Sequence, residues 1–121
     1  FARGVPTLYY GDEQGFVSDG NDQLAREDMM PSRVAVYNDN DLLGTDATTA
    51  DANFDTAHPL FRAIRNLADL RTGSEALRRG VQVERLAEEK GGVYAFSRVI
   101  EGDHEVVVIF NFRNESRLLG I

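Results

Sequence analysis

Two neighbouring carboxylates, Asp12 and Glu13, are the first residues of this sequence that suggest chemistry. They follow Gly11 in the segment Gly4–Gly15, GVPTLYYGDEQG. Two carboxylates can divide general acid and general base work only when both can reach the reacting group. Neighbours in an extended segment point in opposite directions, so these two do not easily form such a pair. We expect them to support a site or to form its rim.

A metal site is the second kind of chemistry to consider. The segment Asp19–Gln23, DGNDQ, has oxygen ligands at alternating positions, like the start of a calcium-binding loop. Leu24 stands where that loop needs its glycine and Met30 where it needs its glutamate, so we expect no calcium hand. His58 is expected at a helix start and His104 in a hairpin turn, and neither has a second His or Cys with which to bind zinc. The sequence therefore predicts no metal site and no cofactor in this chain.

Negative charge is concentrated in the first half of the chain. The net charge is -7 over 121 residues, and eleven acidic residues between Asp12 and Asp55 stand against Arg26 and Arg33 alone. Nucleic-acid phosphates and anionic membrane surfaces attract the opposite charge, so we expect neither as a partner. No apolar run approaches the roughly 18 residues of a membrane span. Cysteine is absent, which excludes disulfides and thiolate catalysis.

The first part of the sequence predicts one strand and one long loop. Apolar β-forming residues at positions 4–10 are typical of a buried parallel strand. Positions 12–57 show no sustained period and are rich in Asp, Asn, Gly, Ser and Thr, which predicts an irregular connection of a length that is usually functional. The sequence lacks an initiator Met and begins inside an apolar segment, so we expect a piece of a longer protein.

Two helices are predicted after the loop. Apolar residues recur at helical spacing in Leu60–Ala68, with Pro59 in the first turn and Thr56 or His58 as the cap. We expect this apolar stripe to pack in a core. A short second helix, capped by Ser74 and ended by Gly80, should follow.

The last third alternates with a period of two, which predicts an antiparallel sheet. Three strands are expected, at Val81–Val83, Val93–Ile100 and Val106–Phe112, and Arg117–Ile121 could begin a fourth. The predicted fold class is α+β. Residues 1–80 would form the last β/α unit of a TIM barrel, and residues 81–121 would start an antiparallel β domain, a partial β-sandwich.

The opening segment resembles a motif of the α-amylase family, glycoside hydrolase family thirteen. That motif, Gly-x-Pro-x-x-Tyr-x-Gly-x-Glu on the eighth barrel strand, matches residues 4–13 at Gly4, Pro6, Tyr9, Gly11 and Glu13. The resemblance continues into the loop, where relatives often carry further Gly, Asp, Arg and Met residues. The matching positions here are Gly15, Gly20, Asp22, Arg26 and Met29. The helix from His58 and the sheet from Val81 resemble the eighth barrel helix and the start of the C-terminal β domain.

The resemblance implies a parent enzyme that hydrolyses α-glucosidic bonds in starch-like glucans or maltooligosaccharides with retention. Its catalytic carboxylates would lie on barrel strands four, five and seven, upstream of this chain, so the chain itself should be inactive. The residues expected at the rim of the substrate cleft, or in its support, are Tyr10, Asp12, Glu13, Asp22 and Arg26. Calcium could bind elsewhere in the parent. A polymeric substrate favours a secreted parent.

Alternatives stay open for several of these residues. Tyr9 and Tyr10 could pack or could stack on sugars, and Arg26 could anchor an ion pair within the loop or contact sugar hydroxyls. The parent could instead be a non-enzymatic barrel relative, such as a transporter accessory ectodomain. The sheet could be a glucan-binding module through Tyr94 and Phe96. Because a barrel strand alone leaves unpaired backbone groups, we also expect the chain to self-associate.

Overall fold

The computed structural model describes residues 1–18 and 20–120. The chain divides into two compact units: Pro6–Ala68 forms one, and Phe1–Val5 together with the chain from Asp69 onwards forms the other. The boundary between them falls inside the first long helix.

The two predicted helices are confirmed. Helix α1 spans Pro59–Gly73 and helix α2 spans Glu75–Arg79. His58 caps α1: its carbonyl accepts the Arg62 N–H, and its Nδ1 accepts the Leu60 N–H at 3.2 Å. Ser74 caps α2 through its hydroxyl, which accepts the Leu77 N–H at 3.2 Å. Both starts therefore follow the usual rule that a side chain satisfies a free N–H of the first turn.

The expectation that the stripe of α1 lies in a core is wrong for this chain. No side chain of α1, every residue of which is described, is buried, and Leu67 is 50% exposed. An apolar stripe is buried only where another element covers it, and the described residues of this chain do not supply that cover.

The three predicted strands are confirmed as one antiparallel sheet. Strands β1 (Val81–Ala87), β2 (Val93–Val99) and β3 (Val106–Asn111) lie in the order β1-β2-β3. β2 is the central strand, and Phe96 on it is fully buried against Leu77 of α2 and Val108 of β3. This small cluster is the core of the unit that contains the sheet.

Arg98 on β2 joins three parts of that unit. The residue is 5% exposed. Its Nε and Nη2 donate to the Gly80 carbonyl oxygen at 3.2 and 2.7 Å, and its Nη1 donates to the Phe1 carbonyl oxygen at 2.9 Å. A buried charge is tolerated only when it is hydrogen-bonded, and here the partners are backbone carbonyls. The guanidinium thus holds the first residue of the chain and the end of α2 against the central strand.

The predicted strand at residues 4–10 is not formed. These residues lie outside every strand of the sheet, and Val5 is 90% and Leu8 62% exposed. A strand needs a hydrogen-bonded neighbour, and residues 4–10 have no strand partner among the described residues. No fourth strand is seen among residues 117–120, and Ile121 lies outside the described residues.

Glu88, in the connection between β1 and β2, binds three different residues. Its Oε2 accepts the Val93 N–H at 3.1 Å, its Oε1 accepts from Arg117 Nη2 at 3.1 Å, and Arg113 Nη2 lies 3.6 Å from Oε2. The Val93 N–H and the two arginines hold the pKa of the Glu88 carboxyl below its usual value. The segment after β3 is thereby tied to the hairpin before it.

The carboxylate of Glu88 makes stability depend on pH. Its pKa is lower in the folded chain than in the unfolded one, so its contribution is complete above the unfolded value, about 4.3, and is lost as the pH falls through the folded value. We expect Glu88→Gln to be less stable than wild type at neutral pH and to lose less stability on acidification. Urea unfolding at several pH values from about 6 to about 3 measures this. Glu89→Gln, at the exposed neighbouring residue, is the control; equal acid dependence in wild type and Glu88→Gln would contradict the prediction.

Candidate functional site

The two carboxylates of the opening motif lie in a tight turn between two glycines. Asp12–Gln14 forms one turn of 3₁₀ helix, and the flanking Gly11 and Gly15 have φ angles of 93° and 74°. A Cβ on Gly15 would lie 2.5 Å from the Leu43 carbonyl oxygen, so the backbone approaches too closely for any side chain. Glycine is therefore required here both for the positive φ and for the space.

Asp12 and Glu13 both accept hydrogen bonds from the backbone of this same turn. Asp12 Oδ2 accepts the Tyr9 N–H at 2.8 Å, and the Asp12 N–H donates to the Tyr9 carbonyl at 3.2 Å. Glu13 Oε2 accepts the Gly11 N–H at 3.1 Å. Each carboxylate thus satisfies a different backbone donor. This pattern is typical of residues that shape a turn.

Sequence reasoning missed Gln14, the next residue. Its side chain is 2% exposed. Its Nε2 donates to the Asp55 carbonyl at 3.1 Å, and its Oε1 accepts the Asp55 N–H at 3.0 Å. The side-chain amide therefore makes the same two hydrogen bonds to the backbone of residue 55 that the backbone of a neighbouring strand would make. These bonds join the two ends of the long loop. The sequence carries no signal of this contact because the two residues are 41 positions apart.

Tyr9 and Tyr10 present aromatic surface beside this turn. Their ring centroids are 4.4 Å apart with the planes tilted by 38°, and the residues are 52% and 44% exposed. The hydrogen bond with Tyr9 and, to a smaller degree, burial raise the pKa of the Tyr10 hydroxyl; the charge of Asp28 raises it further and that of Arg26 lowers it. The charges of Asp28 and Arg26 thus reach the Tyr10 hydroxyl; of these two residues only Arg26 was among those expected at the rim.

Asp22 and Arg26 form a salt bridge within the loop. Arg26 Nη2 lies 3.0 Å from Asp22 Oδ2, and the two side chains are 62% and 81% exposed. An exposed pair of this kind contributes about 0–1 kcal/mol, so it holds the local turn weakly.

No metal-binding cluster is seen where the structure describes the chain. Residues 1–18 and 20–120 contain no group of three or more His, Asp or Glu side chains placed to hold an ion. Asp19, the first residue of the calcium-like segment, lies outside the described residues. His58 is 3% exposed, and its Nδ1 accepts the Leu60 N–H and so caps α1.

The sheet does not expose both Tyr94 and Phe96, the two rings considered above for a glucan-binding module. Phe96 is fully buried, so it cannot stack on a ligand together with Tyr94. Two other rings are exposed instead: the ring centroids of Phe110 and Phe112 are 6.0 Å apart, and their planes lie within 15° of each other.

Among the described residues, no helix is long and apolar enough to span a bilayer.

Comparison with known proteins finds a likeness over most of the chain. Over most of its length the chain matches part of an alpha-amylase, a glycoside hydrolase, which confirms the resemblance seen in the opening motif. The matching protein is an alpha-amylase of Streptomyces lividans, 52% identical over 111 residues, which are 91% of this chain and 12% of that protein. Neither a protein-family model nor a solved structure matches the chain.

The contact between Glu13 and the Gly11 N–H leads to a stability prediction. Gly11 is buried, so removing the acceptor leaves a buried N–H without a partner. We expect Glu13→Ala to lower the free energy of unfolding by about 1–2 kcal/mol. Thermal unfolding of the chain, with amide exchange of Gly11 as a local readout, measures this. Glu101→Ala, at an exposed turn position, is the control, and an unchanged Gly11 exchange rate would show that the carboxylate does not hold the turn.

Proposed function

We propose that this chain is the end of the catalytic barrel and the start of the C-terminal β domain of an alpha-amylase-like glycoside hydrolase. The parent would hydrolyse α-glucosidic bonds in starch-like glucans or maltooligosaccharides. The observation that carries the proposal is the 52% identity to an alpha-amylase over 91% of the chain. The chain spans only 12% of that protein's length, so the activity belongs to the parent.

The chain itself is proposed to lack catalytic activity. A retaining glycosidase needs two carboxyl groups about 5–5.5 Å apart, one on each side of the scissile bond. Asp12 and Glu13 stand side by side in one turn and each accepts a backbone N–H of that turn. They fit a role in holding the turn better than a role as nucleophile and acid.

The proposed contribution of the chain is one wall of the substrate cleft. Tyr10 offers an exposed ring for a sugar face, and Arg26 with Asp22 offers exposed polar groups for sugar hydroxyls. Asp12 and Glu13 would fix the turn beside that ring.

In the parent, Glu13→Ala is therefore expected to reduce stability more than turnover. Unchanged stability with a turnover loss of roughly a hundredfold or more, which corresponds to nearly 3 kcal/mol, would overturn this assignment.

The test of inactivity uses the chain alone. Incubated with soluble starch, maltooligosaccharides or a nitrophenyl glucoside, it should release no reducing sugar or nitrophenol, because Asp12 and Glu13 hold the backbone beside them and do not form a pair across a scissile bond. The parent, assayed beside it, should be active. Activity of the chain that disappears in the double variant Asp12→Asn, Glu13→Gln would show that the catalytic residues are here after all.

A glucan-binding sheet is the second candidate, and the exposed rings of Phe110 and Phe112 favour it. Aromatic faces held nearly parallel at a surface can stack on consecutive sugar rings. The chain would then migrate more slowly in a native gel that contains soluble starch, and Phe112→Ala would remove the retardation. Leu118→Ala, at a fully exposed apolar residue, is the control. Equal retardation of wild type and Phe112→Ala would exclude these rings as the binding surface.

A further inference from the structure

We propose that Gln14 is a positioning residue that sets the geometry of the cleft rim, an inference that rests on the proposed function. Glu13 lies one residue and Asp12 two residues before Gln14 in the same turn, and Tyr10 is separated from that turn only by Gly11. Whatever fixes Gln14 therefore fixes the residues proposed to face the substrate.

The contact between Gln14 and Asp55 fixes the turn from one side. Both atoms of the Gln14 amide are used, Nε2 as donor at 3.1 Å and Oε1 as acceptor at 3.0 Å. At 2% exposure the amide is out of reach of bulk water, so water cannot replace either bond. A two-point contact of this kind fixes both the position and the orientation of the turn.

Asp55 links Gln14 to the start of α1 through hydrogen bonds. Its carbonyl accepts from Gln14 and also from the His58 N–H at 3.2 Å. His58 in turn caps α1 through Nδ1 and the Leu60 N–H. The turn that carries the two carboxylates is thereby joined by consecutive hydrogen bonds to the first turn of α1.

A second contact holds the turn from the middle of the loop. The Leu43 N–H donates to the Gly15 carbonyl at 2.7 Å, and the Leu43 backbone leaves no room for a side chain on Gly15. Residues 14 and 15 are thus anchored to two different parts of the loop. If the Gln14 contact is lost, the turn can rotate about the remaining Gly15 contact and carry Tyr10, Asp12 and Glu13 with it. A displacement of about 1 Å in such a wall is enough to weaken productive binding.

The substitution Gln14→Glu tests this, because lowering the pH should reverse its effect. An ionised glutamate has the same shape but only acceptor oxygens, so it repels the Asp55 carbonyl and loses one of the two bonds. A protonated glutamate has one donor and one acceptor and can restore both. Burial raises the pKa of such a carboxyl, so the restoration falls in an accessible acidic range. Gln23→Glu, at an exposed residue of the same loop, adds the same charge without touching the contact.

The experiment measures KM and kcat of the parent on soluble starch as a function of pH, together with exchange of the Asp55 amide. We expect Gln14→Glu to raise KM roughly tenfold at neutral pH, because binding must then reorder a turn that the lost bond no longer holds, with kcat changed less. Asp55 exchange should rise in parallel. Both changes should disappear towards acidic pH, relative to wild type and Gln23→Glu at the same pH.

Three results separate the possible failures. An inactive wild-type parent would overturn the proposed function, and the positioning role with it. An active parent in which Gln14→Glu and Gln23→Glu have the same KM at every pH would overturn the positioning role alone. The same conclusion follows if Asp55 exchange rises while KM stays at the wild-type value, because the contact would then be structural only.

Discussion

The long loop between Gly11 and Pro59 has to satisfy its backbone hydrogen-bonding groups although its described residues, 12–18 and 20–58, form no strand and no helix longer than one turn. It does so with short polar side chains that bind nearby backbone: Asn21 accepts from the N–H groups of residues 23 and 24, and Thr49 donates to the Tyr37 carbonyl at 2.6 Å. Asp12 and Asp55 do the same at the two ends of the loop. The abundance of Asp, Asn, Ser and Thr in this segment is therefore a structural requirement, and part of its negative charge follows from it.

The unit that contains the sheet meets the same requirement with one buried cation. The end of α2 has carbonyls without helical partners, and Arg98 satisfies the carbonyl of Gly80 with two donors. Gly80 itself has no room for a side chain, since a Cβ would lie 2.5 Å from the Ala76 carbonyl oxygen. With a hydrophobic core reduced to Phe96 and its few neighbours, the guanidinium becomes a principal link between helix, sheet and first residue. Its fork of fixed donors suits this task in a way that a lysine ammonium does not.

The elements that depend on neighbouring residues could be predicted from the sequence. The predictions were wrong or missing where the structure depends on partners far away in the chain. The starts of both helices could be read from Pro59 and Ser74, and the three strands from their alternation, because capping and pleat depend on neighbouring residues. The predicted strand at residues 4–10 has no strand partner, and the α1 stripe has no covering element, among the described residues, and local sequence does not report either lack. In the site, Asp12 and Glu13 stood out by type, whereas Gln14 did not, since its partner lies 41 residues away and is backbone.

The division between structural and substrate-facing residues need not be sharp in such a site. An ionised carboxylate has two oxygens with about four acceptor positions, and a single backbone N–H occupies one of them. Asp12 therefore accepts the Tyr9 N–H and keeps acceptor positions that, in the proposed cleft, a sugar hydroxyl would use. The same reasoning separates the carboxylates from Gln14, whose buried amide uses both its oxygen and its nitrogen on Asp55. Exposure and remaining hydrogen-bonding capacity, more than residue type, thus distinguish the residues proposed to contact a ligand from the one proposed to position them.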